Sequence, residues 1–149
     1  MSQDAATVAS EIAAANRYAT LATADADGFP WASPVWVAAD GDELFWVSRP
    51  DARHSRNIAV RAEIAAVMFD STVPAGSGAG LYLSARAEEV VDGAIRVRGL
   101  EVFSHRSVAD GLRPWSAADV TGEASHRLYR AQVSRRWVLG DRDERIEVS

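Results

Sequence analysis

The chain has 149 residues, no cysteine, five tryptophans and a formal net charge of −5, and its sixteen basic residues are all arginine. That length suits one domain with a full core, while the missing cysteines and lysines exclude a disulfide scaffold, a thiolate nucleophile, a cysteine-ligated metal and Schiff-base chemistry. The acidic balance argues against a general nucleic-acid binder, which carries a basic face.

The start of the chain lacks the basic flank and apolar core of a secretory signal. No apolar stretch approaches the ~20 residues that span a bilayer. A cytoplasmic protein with no membrane partner is therefore expected.

Residues 4–15, DAATVASEIAAA, read as a helix with Val8, Ile12 and Ala15 on one stripe. RYATLATAD (17–25) is rich in β-formers and runs into Asp27-Gly28, a hairpin signal. WASPVWVAA (31–39) follows, then a turn at Asp40-Gly41-Asp42 and the strand ELFWVS (43–48), which together predict an antiparallel meander. Pro34 cannot donate to a ladder, so its surroundings are expected to be an edge, a bulge or a place where something other than a strand lies alongside. Residues 51–61 look helical, and EIAAVMFD (63–70) is a fourth strand. STVPAGSGAG (71–80) is a loop by its Pro, Gly and Ser content. LYLSARAEEVV (81–91) predicts a long fifth strand, 94–106 a helix, and HRLYRAQVSRRWVLG (126–140) a sixth strand bent near Ser134. The expected organisation is one domain over 1–149, with an N-terminal helix in 1–16, a barrel over 17–140 and a tail at 141–149. Six antiparallel strands with N-terminal and connecting helices predict a mainly β fold, a closed or partly closed Greek-key barrel.

The chemistry concentrates in SRPDARHSRNI (48–58), which packs three arginines, a histidine and two serines into a strand-to-helix junction. With a helix from about Pro50, Arg49, Arg53 and Arg56 share one face, and Ser55, Ile58 and Ala62 share the face toward the barrel. Free N–H groups and the helix dipole at such a junction favour an anion. Arginine stays charged and offers a planar fork of donors, which suits phosphate. Composition alone leaves two readings, a phosphate site or a solvated arginine face. The GSGAG loop (76–80) leads into a strand rather than a helix, so it is not a nucleotide fingerprint. His54, His105 and His126 show no metal-ligand spacing, so no metal is expected. Ser77 is not in a nucleophile elbow. Trp46 and Trp137 read as core or interface, and Trp36 shares a strand with Pro34.

The ordered run YATLATADADGFPWASPVWVAADGDELFWVS…ARHSRNI…EIAAVMFD resembles the pyridoxamine 5′-phosphate oxidase-like family of flavin-binding split barrels, over about residues 17–92 with a closing strand at 126–139. The resemblance implies a six-stranded split β-barrel, a homodimer with its cofactor at the subunit interface, and a flavin oxidoreductase acting on a small organic molecule. It implies FMN with the ring along Ala32, Ser33, Pro34, Val35, Trp36 and Val37, held largely by backbone groups. It places the phosphate at Val47, Ser48, Arg53, His54, Arg56 and Asn57. Relatives that bind a deazaflavin or heme, or only carry flavin, set the alternatives: a deazaflavin-dependent reductase, or a non-enzymatic flavin-binding protein. A family lysine beside Arg53 is replaced by His54, whose pKa a facing phosphate would raise. The second strand carries no basic residue, and the C-terminal arginine motif of the oxidases is not evident, so pyridoxamine phosphate is not expected to be a substrate. No side chain stands out as a catalytic acid or base.

Overall fold

Residues 4–149 are described by a computed structural model. Helix α1 (Ala5–Ala15) precedes strands β1 (Tyr18–Ala24), β2 (Pro30–Trp36), β3 (Ala38–Asp40) and β4 (Glu43–Ser48). Helix α2 (Arg53–Val60) leads to β5 (Glu63–Phe69) and β6 (Gly80–Glu89). Helix α3 (Gly93–Ala109), a 3-10 turn (Ala117–Asp119), β7 (Arg127–Leu139) and β8 (Arg145–Val148) follow. The fold is mainly β, a split barrel in which one antiparallel sheet curls into a half-barrel dressed by three helices.

The strand order is β2-β1-β5-β6-β7-β4-β3, with β8 on β7. β2 and β3 are successive pieces of the segment predicted as one strand over 31–39, yet they stand at opposite ends of that order. The segment therefore crosses from one edge of the sheet to the other. Its first half pairs with β1, up to Tyr18 opposite Trp36, and its second half with β4, starting at Ala38 opposite Phe45. Val37, between them, turns its N–H to the Arg17 carbonyl at 3.0 Å. This change of partner breaks the strand. Together with β8 in the segment expected as a tail, it makes the count seven to eight strands rather than six. β8 forms because Glu147 and Val148 meet Trp137 and Arg136 in register, with Arg135 paired to Glu147 at 2.8 Å.

The turns follow their residues. Asp25 Oδ1 accepts the N–H groups of Asp27 and Phe29 at 2.9 and 3.0 Å, and Gly28 takes φ 88°, so the predicted β1–β2 hairpin closes. The bend expected near Ser134 is a bulge: Ser84 faces Arg135 while Ala85 faces Val133, and the extra Ser134 bonds back to the Ser84 carbonyl at 3.0 Å.

ELFWVS reads as a continuous apolar run because both faces of β4 are covered. Leu44 and Trp46 enter the barrel core with Leu21, Val35, Val37 and Met68, while Phe45 packs with Leu100 and Leu128 beneath α3. Asp92 caps α3 by accepting the Ile95 N–H at 2.9 Å. Glu43, at the start of β4, bonds Arg98 of α3 and Arg130 of β7, and those guanidinium groups, Arg98 foremost, hold its carboxyl below the usual range against the opposing effect of burial. On α1 the inward stripe is Ala9 and Ile12 flanked by Ala5, Val8 and Ala13. Ala15, expected on that stripe, is exposed because the helix ends there with Asn16 turned back onto the Ile12 carbonyl.

Candidate functional site

Helix α2 begins later than expected. Arg49 through Ala52 form a turn, with the Ala52 N–H on the Arg49 carbonyl at 3.1 Å, and the helix starts at Arg53. Arg49 is therefore off the helical face it was predicted to share with Arg53 and Arg56. Its guanidinium instead grips Asp51 through two bonds, at 3.0 and 3.2 Å. The cap residue is Ala52, which offers no side-chain acceptor, and the first turn contains no acid. The N–H groups and positive dipole end of α2 thus lack a side-chain counterpart.

Arg53 and Arg56 flank this start, both exposed, and neither forms an ion pair among the described residues. Arg56 adds only the smallest of the influences on Asp51, a carboxylate already held by Arg49. The Arg53 guanidinium carbon lies 4.3 Å from the centroid of the Trp31 ring on β2.

The inward residues of α2 correct the sequence reading. His54 is buried, with Nε2 3.0 Å from Ser48 Oγ at the end of β4. Burial lowers its pKa from the ordinary 6.5. The rise expected from a facing phosphate is thus not the direction the protein itself imposes, because desolvation disfavours the imidazolium. Asn57 is buried and its Nδ2 donates to Thr23 Oγ1 of β1 at 3.0 Å, which spends the amide on holding the helix. Ser55 and Ile58 face the barrel as predicted. Ala62 lies beyond the helix, where its carbonyl accepts the Ala87 N–H at 2.8 Å. Ser55 Oγ is buried without a hydrogen-bond partner of regular geometry, although it is close enough to the Tyr129 hydroxyl to oppose the upward shift that burial gives that phenol.

β2 is an outermost strand, as Pro34 requires; Pro34 faces Thr20 of β1 on one side and has no strand on the other. Ala32 and Pro34 are exposed, Ser33 is half-buried, and Val35 and Val37 are buried in the barrel core. The Trp36 ring packs edge-on against Phe103 of α3 at 5.1 Å. Val47 is half-buried against the cluster beneath α3. Helix α2 packs on β1 and β2, β2 lies against β4, and Ser48 meets His54, so these elements adjoin, while Trp36 and Val47 pack toward α3.

Three residues of this neighbourhood escaped the sequence reading: Trp31, Thr23 and Arg61. Arg61 Nε and its Nη2 donate to the carbonyls of Asp25 and Ala26 at 2.7 and 3.1 Å. With Arg53 on Trp31 and Asn57 on Thr23, the residues at 53, 57 and 61 form one stripe that fastens α2 to the β1–β2 hairpin. The spacing of four was legible; what it would meet was not.

Two cavities lie elsewhere. One of about 670 Å³ opens between α1, α3 and the β3–β4 hairpin, past Glu101 and His105. Another of about 890 Å³ is formed by the 71–80 loop and the β7–β8 turn. The glycine-rich loop is exposed and runs into β6, as its sequence context predicted. Among the described residues no cluster of His, Asp or Glu could hold a metal ion, and no helix is long and apolar enough to cross a membrane.

The architecture has parallels among solved structures. A heme-binding protein of Mycobacterium smegmatis superposes with a TM-score of 0.73 at 22% identity, covering 100% of this chain and 59% of the other, so the chain spans about three-fifths of that protein. The heme storage protein HutZ of Vibrio cholerae gives 0.68 at 22% identity, over 89% of this chain and 92% of its own. An FAD-binding protein of Mesorhizobium loti gives 0.65 at 20% identity, over 97% and 95%. At such identities the likeness is one of fold. No curated protein matches the sequence. The sequence model described as pyridoxamine 5′-phosphate oxidase matches residues 7–138, nearly the whole barrel. The chain belongs to the pyridoxamine 5′-phosphate oxidase family.

Proposed function

We propose that this protein binds FMN, with the phosphate at the start of α2 and the ring along β2, and works as an oxidoreductase on a small organic substrate. One observation carries the reading. Arg53 and Arg56, which form no ion pair among the described residues, flank a helix start that no side chain caps. Charge-assisted bonds from such groups are about twice as strong as neutral ones, which suits a terminal phosphate.

The free outer edge of β2, with Pro34 at its middle, leaves backbone groups available to a flat ring. FMN would supply hydride exchange; the protein supplies position and electrostatics. Ser48, held by His54, and Arg53 and Arg56 orient the phosphate. Ala32 to Pro34 present the backbone edge, while Val35 and Val37 anchor the strand in the core.

A homodimer belongs to this reading. Thr20 and Ala22 of β1 sit between Pro34 and Ala32 of β2 and Val67 and Ala65 of β5, and Tyr18 and Phe69 are 59 and 53% exposed. Such a flat face of small and aromatic residues suits a self-complementary contact.

Heme is the competing occupant, since two of the similar structures are heme proteins. Two of the three histidines favour flavin. Heme iron commonly takes an axial histidine, and the buried one here, His54, is engaged with Ser48, while His126 meets Ser125 at 2.9 Å. Titration of the ligand-free protein with FMN, FAD and hemin in parallel, followed by flavin fluorescence and the heme absorption band, tests the reading. FMN should bind tightest, and light scattering of the flavin complex should report twice 16.1 kDa. Hemin binding without flavin binding would overturn it. Turnover of a reduced nicotinamide or deazaflavin then separates an enzyme from a carrier.

A further inference from the structure

An arginine can hold a phosphate only if its long side chain is kept at the site, and Arg53 is exposed. What keeps it there is Trp31. The indole lies on the outermost strand, 41% exposed, so the barrel core does not account for its size. Its ring sits 4.3 Å from the Arg53 guanidinium carbon. We infer that Trp31 is a positioning residue for the anion site, holding Arg53 over the start of α2. This rests on the reading that the α2 start takes the FMN phosphate.

The geometry supports pre-organisation rather than a chance contact. Thr23 faces Trp31 across the β1–β2 ladder, and its hydroxyl reaches the Trp31 carbonyl at 3.5 Å while accepting from Asn57 at 3.0 Å. Arg61 holds the hairpin tip through Asp25 and Ala26. Asn57 follows Arg53 by four residues on the same helix, and Arg61 caps the end of that helix. The strand carrying the ring and the helix carrying the cation are thus tied together twice, independently of the ring–cation contact. A cation over an aromatic face uses the flat side of the guanidinium, so its in-plane N–H groups stay free to donate to an anion. The ring itself offers the anion nothing.

The test is a double-mutant cycle read with two ligands, FMN and riboflavin, which share the ring system and differ by the phosphate. Wild type, Trp31→Ala, Trp31→Phe, Arg53→Ala and Trp31→Ala/Arg53→Ala are titrated with each. Trp31→Ala should weaken FMN about two- to fivefold, the worth of an exposed cation–π contact, and leave riboflavin unchanged. Trp31→Phe should keep most of the FMN preference, and Trp31→Ala should cost nothing further once Arg53 is removed. Equal losses for FMN and riboflavin would overturn the inference by making Trp31 a contact of the ring. So would an undiminished Trp31→Ala effect in the Arg53→Ala background. If Arg53→Ala alone leaves the FMN-to-riboflavin ratio unchanged, the phosphate placement itself is wrong, and the role of Trp31 falls with it.

Discussion

Gly99 marks the closest approach of α3 to the barrel, and a single methyl there should be costly. A Cβ added at Gly99 would lie 2.7 and 2.8 Å from Phe45 Cε1 and Cδ1 and 3.0 Å from Leu128 Cδ2. Carbon contacts are comfortable at about 3.5–4.0 Å, so a ring and a methyl must each retreat by up to about 1 Å. Neither has room, because Phe45 and Leu128 are 0 and 1% exposed. Overpacking of a filled core costs about 1–3 kcal/mol, and this double collision belongs in the upper part of that range. Replacing an interior helical glycine by alanine returns about 1 kcal/mol through propensity, leaving a net loss near 2 kcal/mol. At about 2–4 °C per kcal/mol for a chain of this size, Gly99→Ala should melt about 4–8 °C below wild type. Gly93→Ala is the control, since a Cβ at the start of the same helix meets nothing within 4 Å. Its melting temperature should be at or slightly above that of wild type. Thermal unfolding followed by far-UV circular dichroism measures both. A Gly99→Ala protein as stable as Gly93→Ala would refute the packing of α3 on β4.

Other expectations follow from the same geometry. Burial depresses His54, so the unfolded chain takes up its proton more readily. Its contribution to stability is complete above the ordinary histidine value of 6.5 and is lost as pH falls from there through the lower folded value. Melting curves from pH 7.5 to 5 should show that loss, flattened in His54→Gln; identical profiles would mean that His54 does not titrate on unfolding. Asn57→Ala should cost about 1 kcal/mol through the lost bond to the Thr23 hydroxyl and weaken FMN no more than Trp31→Ala does, since the amide is a latch; thermal unfolding and the two titrations measure this. Arg56→Ala should weaken FMN by about tenfold or more and riboflavin little, the worth of a charged hydrogen bond; equal losses would move the phosphate elsewhere. Pyridoxamine phosphate should not be turned over by the FMN-loaded protein, because β2, Pro30–Trp36, carries no basic side chain; aldehyde and peroxide production in an oxidase assay would contradict this.

The sequence by itself determined the parts whose information is local. Alternation and turn residues located six of the strands' segments, the Asp27-Gly28 hairpin and a bend near Ser134, because a two-residue period and a positive φ are properties of the few residues that carry them. The order of motifs placed the family, and the resemblance implied 32–37, 47–48 and 53–57 as one candidate site. Only the tertiary structure decided what lies opposite each residue. The 31–39 segment reads as one strand, but its halves serve opposite ends of the sheet, since β1 and β4 compete for it and Val37 is where one ladder gives way to the other. Within ARHSRNI every polar residue looks equally suited to a phosphate. Burial then sorts them: His54 is turned to Ser48 and Asn57 to Thr23, a partner 34 residues away, while Arg53 and Arg56 remain outside. A helical period tells which residues share a face. It carries no information about the hydroxyl, the indole or the carbonyl that a distant strand brings to meet them, and those contacts separate the residues that hold the helix from those free to hold an anion.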